Sequence, residues 1–509
     1  MTTGNALRPI QEAIPADRQG AKRHYGVHPY FTRRPFNVVR DYITHYSKEG
    51  DRVLDPFGGS GVTAIEAFLE NRTGIQNDIN PLANFIAAGI ANLAQGNSTE
   101  YRGALAELED RCAQTLRKIE SASNETLAAI EQQLTLPRNI SLPSSADVDQ
   151  YLDLFSRRQI LSLAVLKRGV DELCAGPARQ AMLLAWSATL TKLNKTFLSA
   201  EGRAESRGGS SIFSIYRYKI AKHPIELPAW STFKERALNV IDAKAEIDKA
   251  IELKRKTSGW RGLFEVYEKD VDDLDGELEG KIDYIFTDPP YGGHISYLDL
   301  SILWNNWLGQ TPSIKSRERE LIVGGDLNHS ESLYMARLRD SVAACVRMLK
   351  RSGWLSVVFQ HWKIGYFEAI LTGAAEAGAE LKAAISQVGD PIWSMHKKKG
   401  NQSVLAGELI LTFHKTGKPR RVDSGGRLDV ETTVQRLLES YSDVLYGEQL
   451  FNQLVVEAWN ASAIASLDIS KDGFARMLEQ FGWRYDDERH FWARKSKRID
   501  APTLWSPRP

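Results

Sequence analysis

The chain has 509 residues, of which 42% are hydrophobic and 25% charged, a composition that excludes a largely disordered protein and, at this length, predicts several folded units. Because 65 Lys and Arg balance 64 Asp and Glu, net charge draws the protein neither to nucleic acid nor to membranes, and any polyanion site has to be a local patch. Three widely spaced cysteines exclude a disulfide framework and a CxxC zinc site, and the histidines show no metal-ligand spacing. Without a signal peptide or an apolar run of about 18 residues, we expect a cytoplasmic protein with no metal and no membrane span.

Residues 1–94 show strands and helices that alternate around a glycine-rich turn. The predicted elements, in chain order, are a helical stripe at 38–43, a short strand at 52–54, a glycine turn at 58–61, a helix at 63–69 and a strand at 73–79. Alternation of this kind is typical of a parallel, doubly wound α/β sheet. We therefore assign residues 1–94 to the first part of an α/β domain.

Residues 95–260 change to helical patterns. Apolar residues recur at helical spacing from Leu105 to Ile119, and two more helices are predicted at 156–174 and 178–194. This region predicts a large, mainly helical insertion into the α/β domain.

Residues 261–415 return to the strand pattern. The predicted strands are Leu263–Tyr267, Ile282–Thr287 and Trp354–Phe359, with two more near 383–393 and 408–414. They complete the sheet that the insertion interrupts, so residues 261–415 form the second part of the α/β domain.

The segment Lys415–Arg427 is basic and rich in Gly and Pro, which predicts a linker. Residues 428–509 then show three helical patterns followed by Gly482–Trp492, which looks like two short strands around an Asp-Asp-Glu turn. Helices followed by such a hairpin predict a small α+β domain, and a winged-helix module that binds DNA is one interpretation. A unit for dimerisation or for binding a partner protein is the other.

The first motif with chemical content is the glycine-rich turn between the first strand and its helix. Glycines there let the backbone pass close to a ligand, and helix N–H groups face it. Asp78, which ends the next strand, is placed for ribose hydroxyls. The candidate ligand residues are Asp55, Pro56, Phe57, Gly58, Gly59, Ser60, Gly61, Asp78 and Ile79. A purely structural turn is the alternative.

The second motif is Asp288-Pro289-Pro290-Tyr291, directly after a hydrophobic strand. Two successive prolines fix the backbone and remove two N–H donors, and the residue before a proline is extended. The strand end therefore presents a carboxylate, a bare carbonyl and an aromatic ring together, an arrangement that a structural turn does not require.

Together the two motifs resemble those of the amino-group DNA methyltransferases, usually written DPFxGSGTT and DPPY. Here they read Asp55–Thr63, with Gly58 at the variable place and Val62 for the first Thr, and an intact Asp288–Tyr291. The resemblance implies a Rossmann-like class I methyltransferase sheet with S-adenosylmethionine as cofactor. It also implies that Asp270 and Val271 face the cofactor adenine and that Arg34-Pro35 is the family's Lys/Arg-Pro helix entry.

The resemblance further implies methyl transfer to the exocyclic amine of a flipped base in double-stranded DNA. Asp288 and the Pro289 carbonyl would accept the two N–H groups of the amine, Pro290 would stiffen the strand end, and Tyr291 would stack on the base. Because the tetrad Asp288–Tyr291 begins with Asp, the resemblance favours adenine N6 over cytosine N4 as the target. An RNA base methyltransferase and an idle DNA-binding regulator are the other hypotheses.

A DNA interface is expected outside the two motifs. Basic residues of the 202–222 segment interleave with Phe213, Tyr216 and Tyr218, a pattern suited to phosphates and unstacked bases. Its candidate contacts are Arg217, Lys219 and Lys222, joined by Lys397 and Lys398 of a loop between the last two strands. A restriction or defence-system partner and a homodimer stay open.

Overall fold

The structure of the protein is a computed structural model. It describes residues 7–17, 23–198, 209–293, 295–388, 407–422, 425–445, 447–486 and 491–494. In these ranges no helix has the length and apolar character needed to cross a bilayer.

The described strands include each one that the sequence predicts, together with three short strands that it did not predict. They are β1 (Arg52–Asp55), β2 (Thr73–Asn77), β3 (Phe197–Leu198), β4 (Gly209–Ser210), β5 (Leu263–Tyr267), β6 (Ile282–Thr287), β7 (Leu349–Phe359), β8 (Ala379–Val388), β9 (Gly407–Lys415), β10 (Val444–Leu445), β11 (Trp483–Asp486) and β12 (Phe491–Arg494). The second strand ends at Asn77, two residues earlier than predicted, and β8 lies a few residues before its predicted place.

Helices lie between the strands, and those at 36–46, 62–69, 98–121, 157–171 and 177–189 correspond to predicted helices. They are α1 (Arg23–Gly26), α2 (Phe36–Tyr46), α3 (Val62–Leu69), α4 (Pro81–Asn92), α5 (Ser98–Ser121), α6 (Asn124–Glu131), α7 (Arg157–Asp171), α8 (Pro177–Thr189), α9 (Ser211–Ser214), α10 (Ala229–Thr257), α11 (Val271–Leu278), α12 (Tyr297–Leu300), α13 (Ile302–Leu308), α14 (Ile314–Arg319), α15 (Glu331–Met348), α16 (Ile364–Glu376), α17 (Val430–Leu438), α18 (Gly447–Asn460) and α19 (Lys471–Gln480). Many begin at a side-chain cap, such as Asn80 before α4 and Ser156 before α7.

Seven strands form one central sheet in the order β5-β2-β1-β6-β7-β9-β8. The pairs from β5 to β7 are parallel, and β9 runs antiparallel to both β7 and β8. This mixed α/β architecture with a mostly parallel sheet is consistent with a methyltransferase fold. The strand order reverses between β1 and β6, so ligands are expected outside the carboxyl ends of these two strands.

Side chains of the central sheet alternate between two hydrophobic cores, as a strand period of two requires. Val53 and Phe286 belong to the core with helices α2 to α4, whereas Leu54 and Ile285 belong to the core with α11, α15 and α16. Both faces of the sheet are therefore covered, which explains why the strands read as continuous apolar runs.

Residues 95–260, the predicted insertion, contain mostly helices. Helices α5 to α10 make up most of residues 95–260, and the short β3–β4 pair is a small separate sheet. Buried side chains of α5, α7, α8 and α10 join the first core, together with those of α2 to α4. The insertion thus extends the layer on one face of the sheet.

The C-terminal segment contains α17, α18, α19 and a three-stranded antiparallel sheet in the order β10-β12-β11. Its apolar side chains share the second core with the central sheet. Trp362, which follows β7, packs against Phe451 of α18 with ring centroids 4.6 Å apart. The segment therefore packs on the α/β domain close to the carboxyl end of β7.

Candidate active site

A cleft lies outside the carboxyl ends of β1 and β6 and encloses about 1470 Å³, its open mouth included. Both sequence motifs line it, although they are more than 200 residues apart. The predicted residues that line the cleft are Asp55, Pro56, Phe57, Gly58, Gly59, Ser60, Asp78, Ile79, Asp270, Val271, Asp288, Pro289, Pro290 and Tyr291. Gly61 is not among the lining residues, and it is the N-cap residue of helix α3 instead.

The glycine turn is shaped by close packing against β2 and α4. Gly61 has a φ of +89°, and a Cβ there would lie 2.5 Å from the Cβ of Ala87. A Cβ on Gly58 would lie 2.2 Å from Oε1 of Gln76. Gly61 therefore requires glycine, and a side chain at Gly58 would require Gln76 to move. The backbone of Gly58 and Gly59 lines one wall of the cleft.

Asp55 links the helix after the glycine turn to the end of β6 by hydrogen bonds. Its Oδ2 accepts a hydrogen bond from Thr63 Oγ1 at 2.8 Å, and its Oδ1 accepts from Thr287 Oγ1 at 2.7 Å. Burial raises the pKa of this carboxyl to about 7, although the two threonines and the Phe57 N–H oppose the shift. One buried carboxyl therefore fixes the relative position of the two motifs.

Asp78 faces the cleft from the end of β2. Its Oδ2 accepts from the Gly59 N–H at 2.9 Å, and its Oδ1 accepts from the Asn80 N–H at 2.8 Å. Burial raises its pKa to about 6. The carboxylate is held in place by the turn itself, and each oxygen keeps a lone pair for a ligand hydroxyl.

Asp270 and Val271 lie at the start of α11, on the same side of the cleft as Asp78. Asp270 caps the helix by accepting from the Asp273 N–H at 2.9 Å. Arg319, at the end of α14, lies 3.8 Å from Asp270 and 3.2 Å from Asp272. Helix α14 therefore closes this end of the cleft, a role that the sequence did not predict.

All four residues of the tetrad line the cleft. The Tyr291 hydroxyl donates to Oδ1 of Asp288, and its ring packs edge-on against Phe359 at 5.1 Å. The Pro290 carbonyl accepts from the Tyr334 hydroxyl at 2.5 Å. Within the described ranges, no donor forms a hydrogen bond to the Pro289 carbonyl. That carbonyl is therefore available to a ligand.

Arg34 is the main tetrad contact that the sequence interpretation missed. Its Nε donates to Oδ2 of Asp288 at 2.5 Å, and its terminal nitrogen donates to the Tyr291 hydroxyl at 2.5 Å. The guanidinium also pairs with Glu408 of β9. Burial raises the pKa of Asp288, while the charge of Arg34 opposes that rise. The Arg-Pro dipeptide was the only signal, since nothing local links Arg34 to a residue so distant in sequence.

The predicted DNA contacts lie apart from the two motifs. Lys219 and Lys222 are exposed, and Arg217 is exposed but pairs with Asp147 at 2.6 Å. The prediction of base-stacking aromatics is wrong for Tyr218, because its buried hydroxyl donates to the Leu300 carbonyl at 2.7 Å. Lys397 and Lys398 lie outside the described residues.

Residues 11–87 match the family model for N6/N4 methyltransferases, described as DNA methylase. The matched segment includes Arg34, the glycine turn and Asp78, and it ends before the insertion. A comparison with curated proteins gives no match. This match confirms the resemblance predicted from the motifs: residues 11–87 are similar to the N6/N4 amino-group DNA methylase family.

Proposed function

We propose that the protein is an S-adenosylmethionine-dependent DNA methyltransferase that modifies the exocyclic amine of a flipped base, with adenine N6 as the preferred target. One observation carries the proposal. The glycine turn and the Asp-Pro-Pro-Tyr tetrad meet at one cleft, where Thr287 and Asp55 share a 2.7 Å hydrogen bond. A cofactor on the turn would lie next to a base held by the tetrad.

The cleft residues fit the cofactor. Gly58 and Gly59 of the turn line the cleft without side chains, so a ligand can approach their backbone directly. Asp78 and Asp270 supply carboxylates for the ribose and the adenine at one end of the cleft. When bound, S-adenosylmethionine supplies an electrophilic methyl group on its sulfonium.

The tetrad residues would activate the amine. Its lone pair is delocalised into the base, so the nitrogen is a poor nucleophile until its two N–H groups are accepted by fixed oxygens. Asp288 and the Pro289 carbonyl are such acceptors, and they are already in place before the base arrives. The proton that the amine loses on methylation passes toward the carboxylate of Asp288, whose pKa is raised by burial.

The target base has to leave the duplex to reach this cleft, which costs a few kcal/mol. The ring of Tyr291 would recover part of that by stacking, worth about 1–3 kcal/mol per base. Preference for adenine rests on the family resemblance, because Asp288 stands where Ser would favour cytosine.

Two parts of the chain are candidates for further contacts. Residues 209–222 carry Arg217, Lys219 and Lys222 without any Asp or Glu, which supports a local phosphate-binding patch. Residues 428–509 are proposed to be a winged-helix module, because β10 lies between α17 and α18 and a hairpin follows α19. That segment has 10 Lys and Arg against 13 Asp and Glu, a balance that favours a protein partner over DNA phosphates.

The experiment is a transfer assay with purified protein, labelled S-adenosylmethionine and matched DNA and RNA duplexes. The product nucleosides are then separated. Label in N6-methyladenine from DNA supports the proposal, and label in N4-methylcytosine would correct the target base. Label in RNA alone, or in neither substrate, would reject it.

A further inference from the structure

Arg217 lies on the loop that follows α9, next to the mouth of the cleft. Phe213 of α9 packs against Phe31 with ring centroids 5.5 Å apart, and Phe31 packs edge-on against Tyr297, a residue that lines the cleft. The side chain of Arg217 is 48% exposed. The insertion therefore presents this arginine where a duplex with one flipped base would lie.

Hydrogen bonds hold Arg217 in place. One terminal nitrogen donates to Oδ1 of Asp147 at 2.6 Å, and Oδ2 of Asp147 accepts from the Ile220 N–H at 3.2 Å. The Asp147 N–H donates to the Tyr218 carbonyl at 2.9 Å. The Arg217 carbonyl accepts from the Ser211 hydroxyl, also at 2.9 Å. Both the backbone of Arg217 and its carboxylate partner are thus fixed before a ligand binds.

The contact with Asp147 determines which ligand suits Arg217. A guanidinium has five N–H donors, so the contact leaves several of them for a ligand. The carboxylate compensates the charge of Arg217 and repels a phosphate, which is itself an anion. A neutral ligand with two hydrogen-bond acceptors meets no such repulsion. Arg217 is therefore better suited to the edge of a base than to the DNA backbone.

We propose that Arg217 recognises a guanine of the target sequence through the major groove, close to the flipped base. This inference rests on the proposed function. Guanine presents two acceptors in the major groove, O6 and N7, and an arginine can bind both at once. Adenine presents one acceptor and one donor there, cytosine presents a donor, and thymine presents one acceptor. Because a guanidinium only donates, guanine is the base that satisfies two of its donors.

Methylation rates on altered target sequences test the inference. Sequencing of DNA from a methylation-free host that expresses the wild-type chain gives the target sequence, which we expect to contain a guanine. Purified protein then methylates duplexes in which each guanine of that sequence is replaced in turn. In Arg217→Ala we expect the preference for guanine to fall about 5- to 150-fold at one position only, as for a lost bidentate contact. Arg217→Lys keeps the charge but not the planar fork, so it should lose part of the same preference.

Asp147→Ala separates a base contact from a phosphate contact. If Arg217 reads a guanine, the loss of its partner should weaken the preference at the same position. If Arg217 instead binds a phosphate, removal of the nearby negative charge should tighten binding to all sequences and steepen its salt dependence. The second result would overturn the inference.

Lys219→Ala is the matched control, because Lys219 is an exposed cation on the same loop. It should slow methylation of all duplexes alike and leave the preference for guanine unchanged. A uniform loss in Arg217→Ala, or a wild-type target sequence without guanine, would overturn the inference. So would a loss of S-adenosylhomocysteine affinity in Arg217→Ala, measured by calorimetry, because it would show a structural role. If the wild-type protein methylated no DNA, the proposed function itself would fail.

Discussion

Thr287 donates a hydrogen bond from its Oγ1 to Oδ1 of Asp55 at 2.7 Å, across the junction of β6 and β1. Thr287 immediately precedes the tetrad, and Asp55 is the last residue of β1, just before the glycine turn. The second oxygen of Asp55 accepts from Thr63 in the first turn of α3. This buried carboxyl therefore sets the distance between the two halves of the candidate site.

Replacement of Asp55 by Asn should remove a pH dependence of stability. Burial raises the pKa of Asp55 to about 7 from its usual 3.8. Between about pH 4 and 7 the folded protein keeps a proton that the unfolded chain has lost, so stability falls as pH rises. Urea unfolding at pH 5 and pH 7.5 should show a smaller fall for Asp55→Asn than for wild type. Equal falls would mean that Asp55 is already ionised in the folded protein at pH 5.

Tyr291 variants should separate the ring from the hydroxyl. Tyr291→Phe keeps the ring but loses the donor to Asp288, so we expect about a tenfold loss of turnover, equivalent to one hydrogen bond. Tyr291→Ala also loses stacking worth about 1–3 kcal/mol and should raise the KM for DNA further. Steady-state methyl-transfer kinetics measure both effects. Equal losses in the two variants would contradict a stacking role for the ring.

Arg34 should act on the tetrad rather than on the cofactor. We expect Arg34→Ala to lower kcat about 10- to 100-fold, because Asp288 loses a charged partner worth about 1.5–3 kcal/mol. The acid limb of its pH–rate profile should move to higher pH, since the charge of Arg34 lowers the pKa of Asp288. Arg34→Lys should recover part of the rate. Glu408→Gln is the comparison, because it leaves the contact between Arg34 and Asp288 in place. A kcat unchanged in Arg34→Ala would refute the role.

The patch at Lys219 and Lys222 should contribute phosphate contacts. Both lysines are exposed, so their joint replacement by Ala should flatten the slope of log affinity against log salt by about 1.8, as for two phosphates. Lys249 and Lys256 of α10 are exposed as well, and replacing this pair is the control for net charge. DNA binding titrated at several salt concentrations gives the slopes. The same slope change in both pairs would leave the patch without a specific role.

The sequence predicted the sheet because its signals are local. Apolar strands such as Ile282–Thr287, the turn at Gly58–Gly61 and the helical spacing of the insertion each lie within a short window. The predicted elements therefore differ from the structure mostly at their ends, as at Asn77, where the chain leaves the sheet to place Asp78 in the cleft.

The contacts around the tetrad could not be predicted in this way. Arg34, Asp288 and Glu408 come from three distant parts of the chain, and only the folded sheet brings them together. Within the 202–222 segment, the pattern was misleading at Tyr218 for the same reason. Tyr218 lies among basic residues in the sequence, as a base-stacking tyrosine would. Its ring, however, is buried where the insertion packs on the segment after the tetrad.

The most direct measurement is nucleoside analysis of DNA from a methylation-free host that expresses either the wild-type chain or Asp288→Ala. Mass spectrometry should detect N6-methyladenine with the wild-type chain and none with the variant. Calorimetry should show that the variant still binds S-adenosylmethionine, because the glycine turn is intact. Modified bases at equal levels in both samples, or in neither, would contradict methyl transfer at Asp288.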